Sequence, residues 1–174
     1  GDLIAFLDSD DKWLKDKIKH QVQVFTDSPR FSILGGLFKQ SNISGEFVQD
    51  VTFKSLLLSN RFFTSATVVK RSVFDVVKPF REDKKYSEDY NLWLRILAKF
   101  EGGVLNEKVF TYATETGVNN DGLSGNLWQM EKGELDNYKE MYQLQYISFG
   151  RLMVLRLFSV LKYLRRVIRK QSKQ

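Results

Sequence analysis

Apolar and polar positions alternate along the chain in patterns that predict both strands and helices. One unbroken apolar run, Leu3–Leu7, is typical of a strand covered on both faces, as in the parallel sheets of α/β proteins. Apolar and β-branched residues between turn residues predict further strands at 31–38, 46–50, 62–69 and 102–114. Apolar spacings of three and four residues predict helices at 13–25, 53–58, 88–100, 127–146 and 147–169. The first helix would carry Leu14, Ile18, Val22 and Phe25 on one face and stop at Asp27-Ser28-Pro29. Composition predicts a flexible charged loop at 81–85 and a polar, glycine-containing loop at 114–126. This order of elements favours an α/β fold.

The first apolar run stops at a cluster of acids, Asp8-Ser9-Asp10-Asp11. Ligands of parallel α/β sheets bind beyond the carboxyl ends of the strands, which is where these acids emerge. Carboxylates at the end of a buried strand face water, a basic partner or a metal ion, because unpaired burial is costly. The alternative is that Ser9, Asp10 or Asp11 caps the helix predicted from Trp13.

A second pair of acids, Glu88-Asp89, follows Ser87 at the start of another predicted helix. Ser87 is a favourable N-cap residue, and acids in the first turn offset the helix dipole. Capping alone therefore explains these acids without any catalysis. The apolar face of this helix consists of Trp93, Leu94, Leu97 and Phe100.

Composition narrows the classes of protein. The 174 residues include 14% aromatics and only 2 Pro, which indicates one domain with a real core. The absence of Cys excludes disulfides, thiolate chemistry and Cys-based zinc sites, and it is compatible with a reducing cytosol. The single His, His20, excludes His-rich metal sites.

Positive charge is concentrated at one end of the chain. The chain has 27 Lys and Arg against 21 Asp and Glu, but eight of the bases and none of the acids follow Glu140. On a helical wheel six of these bases, Arg151, Lys162, Arg165, Arg166, Arg169 and Lys173, fall within about 100° of one another, and apolar residues gather on the opposite side. Such a basic amphipathic helix, within 151–173, predicts contact with an anionic membrane surface. The alternative is a helix docked on the protein with its basic side in water. Nucleic acid is not expected as a partner, because no binding motif accompanies the charge.

Two stretches resemble hallmarks of family 2 glycosyltransferases. The family pattern has an apolar strand, Asp-x-Asp-Asp, one residue, Trp, and then Lys-Leu and Gln on a helix. Asp8–Asp11, Trp13, Lys17-Ile18 and Gln21 follow it, with Lys15 where Pro is usual. The second hallmark, Glu-Asp followed by apolar-Trp-Leu-Arg, corresponds to 88–95.

The resemblance implies an incomplete GT-A fold, which is the Rossmann-like α/β fold of nucleotide-diphospho-sugar transferases, with a mixed sheet and a C-terminal helical extension. Residues 1–125 would be the C-terminal part of the GT-A domain, and 126–174 a basic helical tail. The chain begins with Gly1 directly before a strand, so we interpret it as a fragment or processed product without the nucleotide-binding part. We expect the isolated fragment to be inactive.

The resemblance also assigns site residues. Asp8, Asp10 and Asp11 would form the donor diphosphate region, with Mn²⁺ or Mg²⁺ held by Asp10 and Asp8. Residues two apart on an extended chain point the same way, so both could reach one ion, whereas Asp11 would point elsewhere and cap the helix. Relatives often carry a His near the loop after 112, but none occurs here before Ser124, which leaves a third metal contact unassigned.

The remaining assignments concern the acceptor. Asp89 would be the catalytic base, with Glu88 as the lesser candidate. Thr64 and Ser65, on a small-residue strand, and Trp93 would lie on the acceptor side. An ordinary junction between a strand and a helix explains Thr64 and Ser65 equally well.

These assignments predict a metal-dependent inverting glycosyltransferase of the hexosyltransferase type. It would move a sugar from a nucleotide-diphosphate donor to a hydroxyl of a saccharide or lipid-linked acceptor in surface polysaccharide or glycolipid synthesis. The first candidate for the donor is a UDP-sugar. We expect it in the cytoplasm, peripheral at the inner face of the cell membrane. The alternatives are a non-catalytic fragment or degenerate relative that binds the membrane surface, and a basic membrane-binding domain whose acids only cap helices.

Overall fold

A computed structural model describes residues 1–37, 47–112 and 125–171. The chain forms two compact units that interleave along the sequence. The first unit comprises Gly1–Pro79 and Trp93–Val118, and the second comprises Phe80–Leu92 and Asn119–Gln174. The predicted boundary at residue 125, between a GT-A part and a helical tail, stays a prediction.

The first unit is built on a mixed β-sheet. Its strands and helices are β1 (Leu3–Ala5), β2 (Asp11–Trp13), α1 (Lys17–Asp27), β3 (Phe31–Leu37), β4 (Val48–Val51), α2 (Phe53–Leu56), β5 (Val68–Lys70), β6 (Glu101–Lys108) and β7 (Phe110–Tyr112). Short 3₁₀ helices lie at Thr64–Ala66 and Arg71–Asp75. Five strands pair in the order β1-β5-β3-β6-β4, with β3 and β6 parallel and the other pairs antiparallel. A separate two-stranded ladder joins β2 to β7.

The core of this unit lies between α1 and the sheet. Val24 and Phe25 of α1 pack with Phe31, Leu34 and Val68 of the central strands. Most of the predicted elements are confirmed, including the stop of α1 at Asp27 before Ser28-Pro29.

Three local expectations were wrong. β1 is a half-buried antiparallel edge strand, not a parallel strand covered on both faces, because an apolar run indicates burial without fixing the partner. Trp13 belongs to β2, and α1 begins only at Lys17. The strand expected at 62–69 is interrupted by the 3₁₀ helix, so that only Val68–Lys70 enters the sheet.

The second unit contains two long helices and residues Phe80–Leu92. α3 (Glu88–Leu97) begins in this unit, and α4 (Leu127–Gln143) packs along α5 (Phe149–Gln171). Tyr138 and Met141 of α4 and Leu152 and Leu155 of α5 are buried. Within the described ranges, no helix has both the length and the apolar content needed to cross a bilayer.

Candidate functional site

The acids that follow β1 lie on a tight turn, which we call the acidic turn (Asp8–Asp11). The N–H of Asp11 donates to the carbonyl of Asp8 at 3.1 Å and closes it. Because the backbone turns here, the expected alternation along an extended chain does not apply. Asp8 and Asp10 are nevertheless both exposed on this turn.

The capping alternative for these acids is wrong. The N-cap of α1 is Asp16, and its side chain makes no capping hydrogen bond. Asp11 lies instead in β2, where its backbone pairs with Tyr112. Neither Ser9 nor any acid of the turn therefore caps a helix.

Ser65 fixes the acidic turn from below. Its Oγ accepts a hydrogen bond from the N–H of Asp8 at 3.0 Å, and its carbonyl accepts one from Nε1 of Trp13 at 2.9 Å. Ser65 is only 1% exposed. A residue 57 positions away in the sequence therefore holds Asp8, the first residue of the turn, and Trp13, two residues beyond its end.

The surroundings of the Asp11 carboxyl raise its pKa above the ordinary value. Burial raises its pKa, the Ser65 hydroxyl beside it opposes that rise, and the negative charge of Asp10 adds to it. Its Oδ1 is buried and has no hydrogen-bond partner among the described residues. A cation bound at the turn would favour the charged form of this group.

Two further polar side chains are buried beneath the turn. Nζ of Lys17 lies 4.7 Å from the centre of the Trp13 ring and donates to Oε1 of Gln21 at 2.8 Å. Nε2 of Gln21 donates in turn to the carbonyl of Ala66, next to Ser65, at 2.8 Å. Burial lowers the pKa of Lys17 to about 8. We call Trp13, Lys17, Gln21 and Ser65 the support cluster.

The support cluster explains why the predicted face of α1 was right for Phe25 but wrong for Ile18 and Val22. Its buried residues are Lys17, Gln21, Val24 and Phe25, whereas the expected Ile18 and Val22 are exposed. Polar groups of Lys17 and Gln21 are satisfied by each other and by backbone carbonyls, which offsets the cost of their burial. The family pattern includes both positions, but sequence reasoning assigned them no role, although their spacing of four places them on one helix face with Val24 and Phe25.

The residues of the turn fit a hard divalent cation in part. Among the described residues, no three His, Asp or Glu side chains gather into a group able to hold a metal ion. Mg²⁺, however, is typically bound through one or two carboxylates plus substrate phosphates and water. The exposed Asp8 and Asp10 carboxylates supply that smaller set, and the orphaned oxygen of Asp11 lies on the same turn.

Glu88 and Asp89 lie in the first turn of α3, as predicted, and belong to the second unit. Both are half-buried. Oδ1 of Asp89 accepts a hydrogen bond from the N–H of Tyr90 at 2.6 Å, which orients the carboxylate. Burial raises the pKa of the Tyr90 hydroxyl, so this neighbour stays neutral.

The start of α3 is anchored on α4. Nδ2 of Asn91 donates to Oδ1 of Asn137 at 3.1 Å and to Oε2 of Glu140 at 3.0 Å, and Nδ2 of Asn137 donates to the carbonyl of Ser87 at 2.9 Å. Ser87 does not act simply as a cap, because its hydroxyl donates to the carbonyl of Met130. Lys84 also donates to Oδ1 of Asn137. The charged segment 81–85, expected to be a flexible loop, is thus bonded to α4.

Close backbone contact reinforces this anchor. A Cβ added at Gly133 of α4 would lie 2.6 Å from the carbonyl oxygen of Tyr86, so only glycine fits there. Ser87, the next residue, has φ of 55°, in the left-handed region that non-glycine residues rarely occupy.

The acceptor-side residues behave differently from one another. Thr64 is half-buried at the start of the 3₁₀ helix, whereas Ser65 lies beneath the acidic turn. Trp93 is fully buried against Phe6 and Phe62, with ring centroids 5.4 and 6.3 Å apart. Burial gives Trp93 a packing role and leaves it no surface for direct acceptor contact. The loop expected at 114–126 lies outside the described residues up to 124.

Comparisons with known proteins identify relatives over part of the chain. No protein-family model matches it. It is 33% identical over 101 residues to the Escherichia coli UDP-Glc:alpha-D-GlcNAc-diphosphoundecaprenol beta-1,3-glucosyltransferase WfgD, covering 56% of this chain and 39% of that protein. It is 28% identical over 155 residues to the putative teichuronic acid biosynthesis glycosyltransferase TuaG of Bacillus subtilis, covering 85% of this chain and 59% of that protein.

The fold has a solved counterpart. The crystal structure of S. aureus TarS 1-349 matches with a TM-score of 0.60 at 13% identity, over 92% of this chain and 46% of that one. The resemblance to family 2 glycosyltransferases is therefore confirmed over part of the chain. The expected mixed α/β sheet of GT-A type with C-terminal helices is confirmed as well. The chain spans 39% to 59% of the length of these curated relatives.

Proposed function

We propose that this chain is part of a metal-dependent inverting glycosyltransferase that transfers a sugar from a nucleotide-diphosphate donor to a hydroxyl acceptor. The observation that carries the proposal is the acidic turn, which exposes the carboxylates of Asp8 and Asp10 and whose backbone is held at Asp8 by the buried Ser65. The similarity to glycosyltransferases supports the same reaction class.

Asp8 and Asp10 would hold Mg²⁺ or Mn²⁺ together with the donor diphosphate. When bound, the ion supplies neutralisation of the negative charge that grows on the leaving diphosphate. Asp11 would add a third negative charge to the turn, beside the hydroxyl of the buried Ser65. The support cluster holds the turn in one geometry before the donor arrives, which reduces the ordering cost of binding.

Asp89 would act as the general base, and Glu88 is the lesser candidate. A carboxylate oxygen of Asp89 takes the proton of the acceptor hydroxyl as that oxygen bonds to the anomeric carbon and the bond to the diphosphate breaks. Attack opposite the leaving group inverts the anomeric centre. The anchor on α4 and the N–H of Tyr90 keep this carboxylate oriented.

For substrates, we propose a UDP-sugar donor and a lipid-linked saccharide acceptor in surface polysaccharide synthesis. WfgD and a second E. coli relative, WfaP, 30% identical over 104 residues, are both named as using UDP-Glc and GlcNAc-diphosphoundecaprenol. We place the reaction in the cytoplasm, at the inner face of the cell membrane, where nucleotide sugars and lipid-linked acceptors meet.

The test is release of nucleotide from a panel of nucleotide sugars, with Mn²⁺ and with EDTA. The protein is expressed with whatever residues flank this chain in its gene. We expect metal-dependent turnover of one UDP-sugar, and we expect Asp10→Asn to lose it together with metal-dependent donor binding. Asp16→Asn, an exposed acid outside the turn, is the matched control and should retain both. Metal-dependent donor binding that persists in Asp10→Asn would remove Asp10 from the site.

A further inference from the structure

α5 exposes a continuous apolar stripe, which we call the outer stripe. Leu157, Leu161 and Ile168 are 63%, 56% and 62% exposed, and Val154 is 67% exposed. At roughly 3.6 residues per turn these positions follow one side of the helix. The outer stripe consists of Met153, Val154, Leu157, Val160, Leu161, Leu164 and Ile168.

The opposite side of α5 packs on α4. Leu152, Leu155 and Ser159 are buried there. Lys162 and Arg166 donate to Glu134 at 2.8 Å and to Glu131 at 3.0 Å. α5 is therefore docked on α4, as the alternative expected, but the centre of its basic face is turned toward α4 and its apolar face is turned outward.

Arginines border the outer stripe on both sides. Arg156 lies along one border, and Arg165 and Arg169 lie along the other, all three exposed. No acid occurs after Glu140, so nothing on α5 neutralises them. Long arginine side chains can keep their charged heads in a polar layer while their stems cover apolar surface.

We propose that the outer stripe docks on the surface of an anionic lipid bilayer, with α5 lying in the interface plane. The charges decide between this occupant and a second copy of the chain. Two outer stripes packed together would bring like-charged arginine borders against one another, whereas anionic headgroups complement them. From Met153 to Ile168 the stripe extends about 22 Å, which gives α5 several turns of contact.

The test measures co-sedimentation of the protein, with its native flanking residues, with vesicles. One set of vesicles contains phosphatidylcholine alone, and the other adds phosphatidylglycerol. We expect binding to the anionic vesicles that weakens as salt rises. Leu157→Ser combined with Leu161→Ser should weaken it by roughly tenfold or more, because two exposed apolar side chains lose their burial in the bilayer.

Two matched controls separate this surface from general effects. Leu58→Ser with Val76→Ser removes two comparably exposed apolar residues (50% and 55%) from the first unit and should leave binding unchanged. Arg156→Gln, Arg165→Gln and Arg169→Gln together should weaken binding by roughly fivefold per arginine and flatten the salt dependence. Lys19→Gln, Lys54→Gln and Lys99→Gln, exposed bases of the first unit, give the same net charge and should bind nearly as the wild type.

Several outcomes would overturn the proposal. These are absence of binding by the wild type, equal loss in the Leu157→Ser, Leu161→Ser pair and in the Leu58→Ser, Val76→Ser control pair, or a dimer that Leu157→Ser with Leu161→Ser dissociates while vesicles have no effect. The last result would assign the outer stripe to a second copy. Because no sugar donor is involved, Asp10→Asn should bind vesicles normally, so failure here and failure of the proposed catalysis are distinguishable.

Discussion

The acidic turn and the start of α3 present carboxylates from two different scaffolds. The turn follows a short edge strand and is held by the buried Ser65, and the buried Lys17 lies against Trp13 just beyond the turn. The start of α3 is fixed by close backbone packing on α4 and by an amide network through Asn137. In sequence both regions combine a serine with acids before a helix, yet only the second places its acids in a helical first turn. A shared local pattern therefore does not imply a shared structural role.

The comparison would be sharpened most by changing the acid of the second region. Asp89→Asn should lower kcat by roughly 10²–10⁴, because the acceptor proton loses its base. Donor binding should stay near normal, in contrast to Asp10→Asn. Glu88→Gln, one position earlier on the same helical turn, is the control and should retain most activity. Normal turnover in Asp89→Asn, measured with the donor that the nucleotide-sugar panel identifies, would refute its role as base.

The next largest effect concerns the buried lysine beneath the acidic turn. Its pKa is lowered by burial to about 8 from 10.5, so the folded state bears the cost of the buried charge at neutral pH. Between these values the unfolded chain holds more protons than the folded chain, and stability therefore rises with pH. Between these two pKa values the free energy of unfolding rises by at most ~3 kcal/mol.

Urea unfolding at pH 7 to about 9.5, compared with Lys17→Met, measures this contribution. That limit avoids the range in which ionisation of Tyr90 and Tyr138, whose pKa values are raised by burial, acts in the opposite direction. Wild-type stability should rise relative to the variant across this range. Parallel pH profiles would show that Lys17 is not buried as a charge, and the contrast between the two scaffolds would lose its electrostatic basis.

The smallest effect tests the backbone packing of the second region. Gly133→Ala should destabilise by ~1–3 kcal/mol, since its Cβ meets the Tyr86 carbonyl. Gly150→Ala, in α5 with no atom within 4 Å of the new Cβ, should be neutral or stabilising by up to ~1 kcal/mol. Thermal denaturation of both variants provides the measurement. Equal effects at the two glycines would show that α4 does not approach the Tyr86 carbonyl closely at Gly133.

Sequence patterns predicted the elements better than their partners. Apolar periodicity located α4, α5 and most strands, because burial periodicity is local information. It failed for β1, whose antiparallel partner β5 is set by contacts between residues more than 60 positions apart. It also failed for the face of α1, where Lys17 counts as polar although its amine is satisfied inside.

The candidate site shows the same limit. Motif spacing located Asp8–Asp11 and Glu88-Asp89, but it gave no account of what holds them. Ser65 was recognised as part of a small-residue stretch and assigned to the acceptor, whereas its bond to Asp8 spans 57 positions. Contacts of this length depend on the folded sheet and are not contained in any local pattern.

The buried amine of Lys17 also offers a chemical reporter. Only 1% of the residue is exposed, so an acylating reagent reaches it only when the structure opens locally. The rate at which Lys17 is acylated, measured by peptide mass spectrometry, would therefore report how often the structure around Lys17, next to the acidic turn, opens locally.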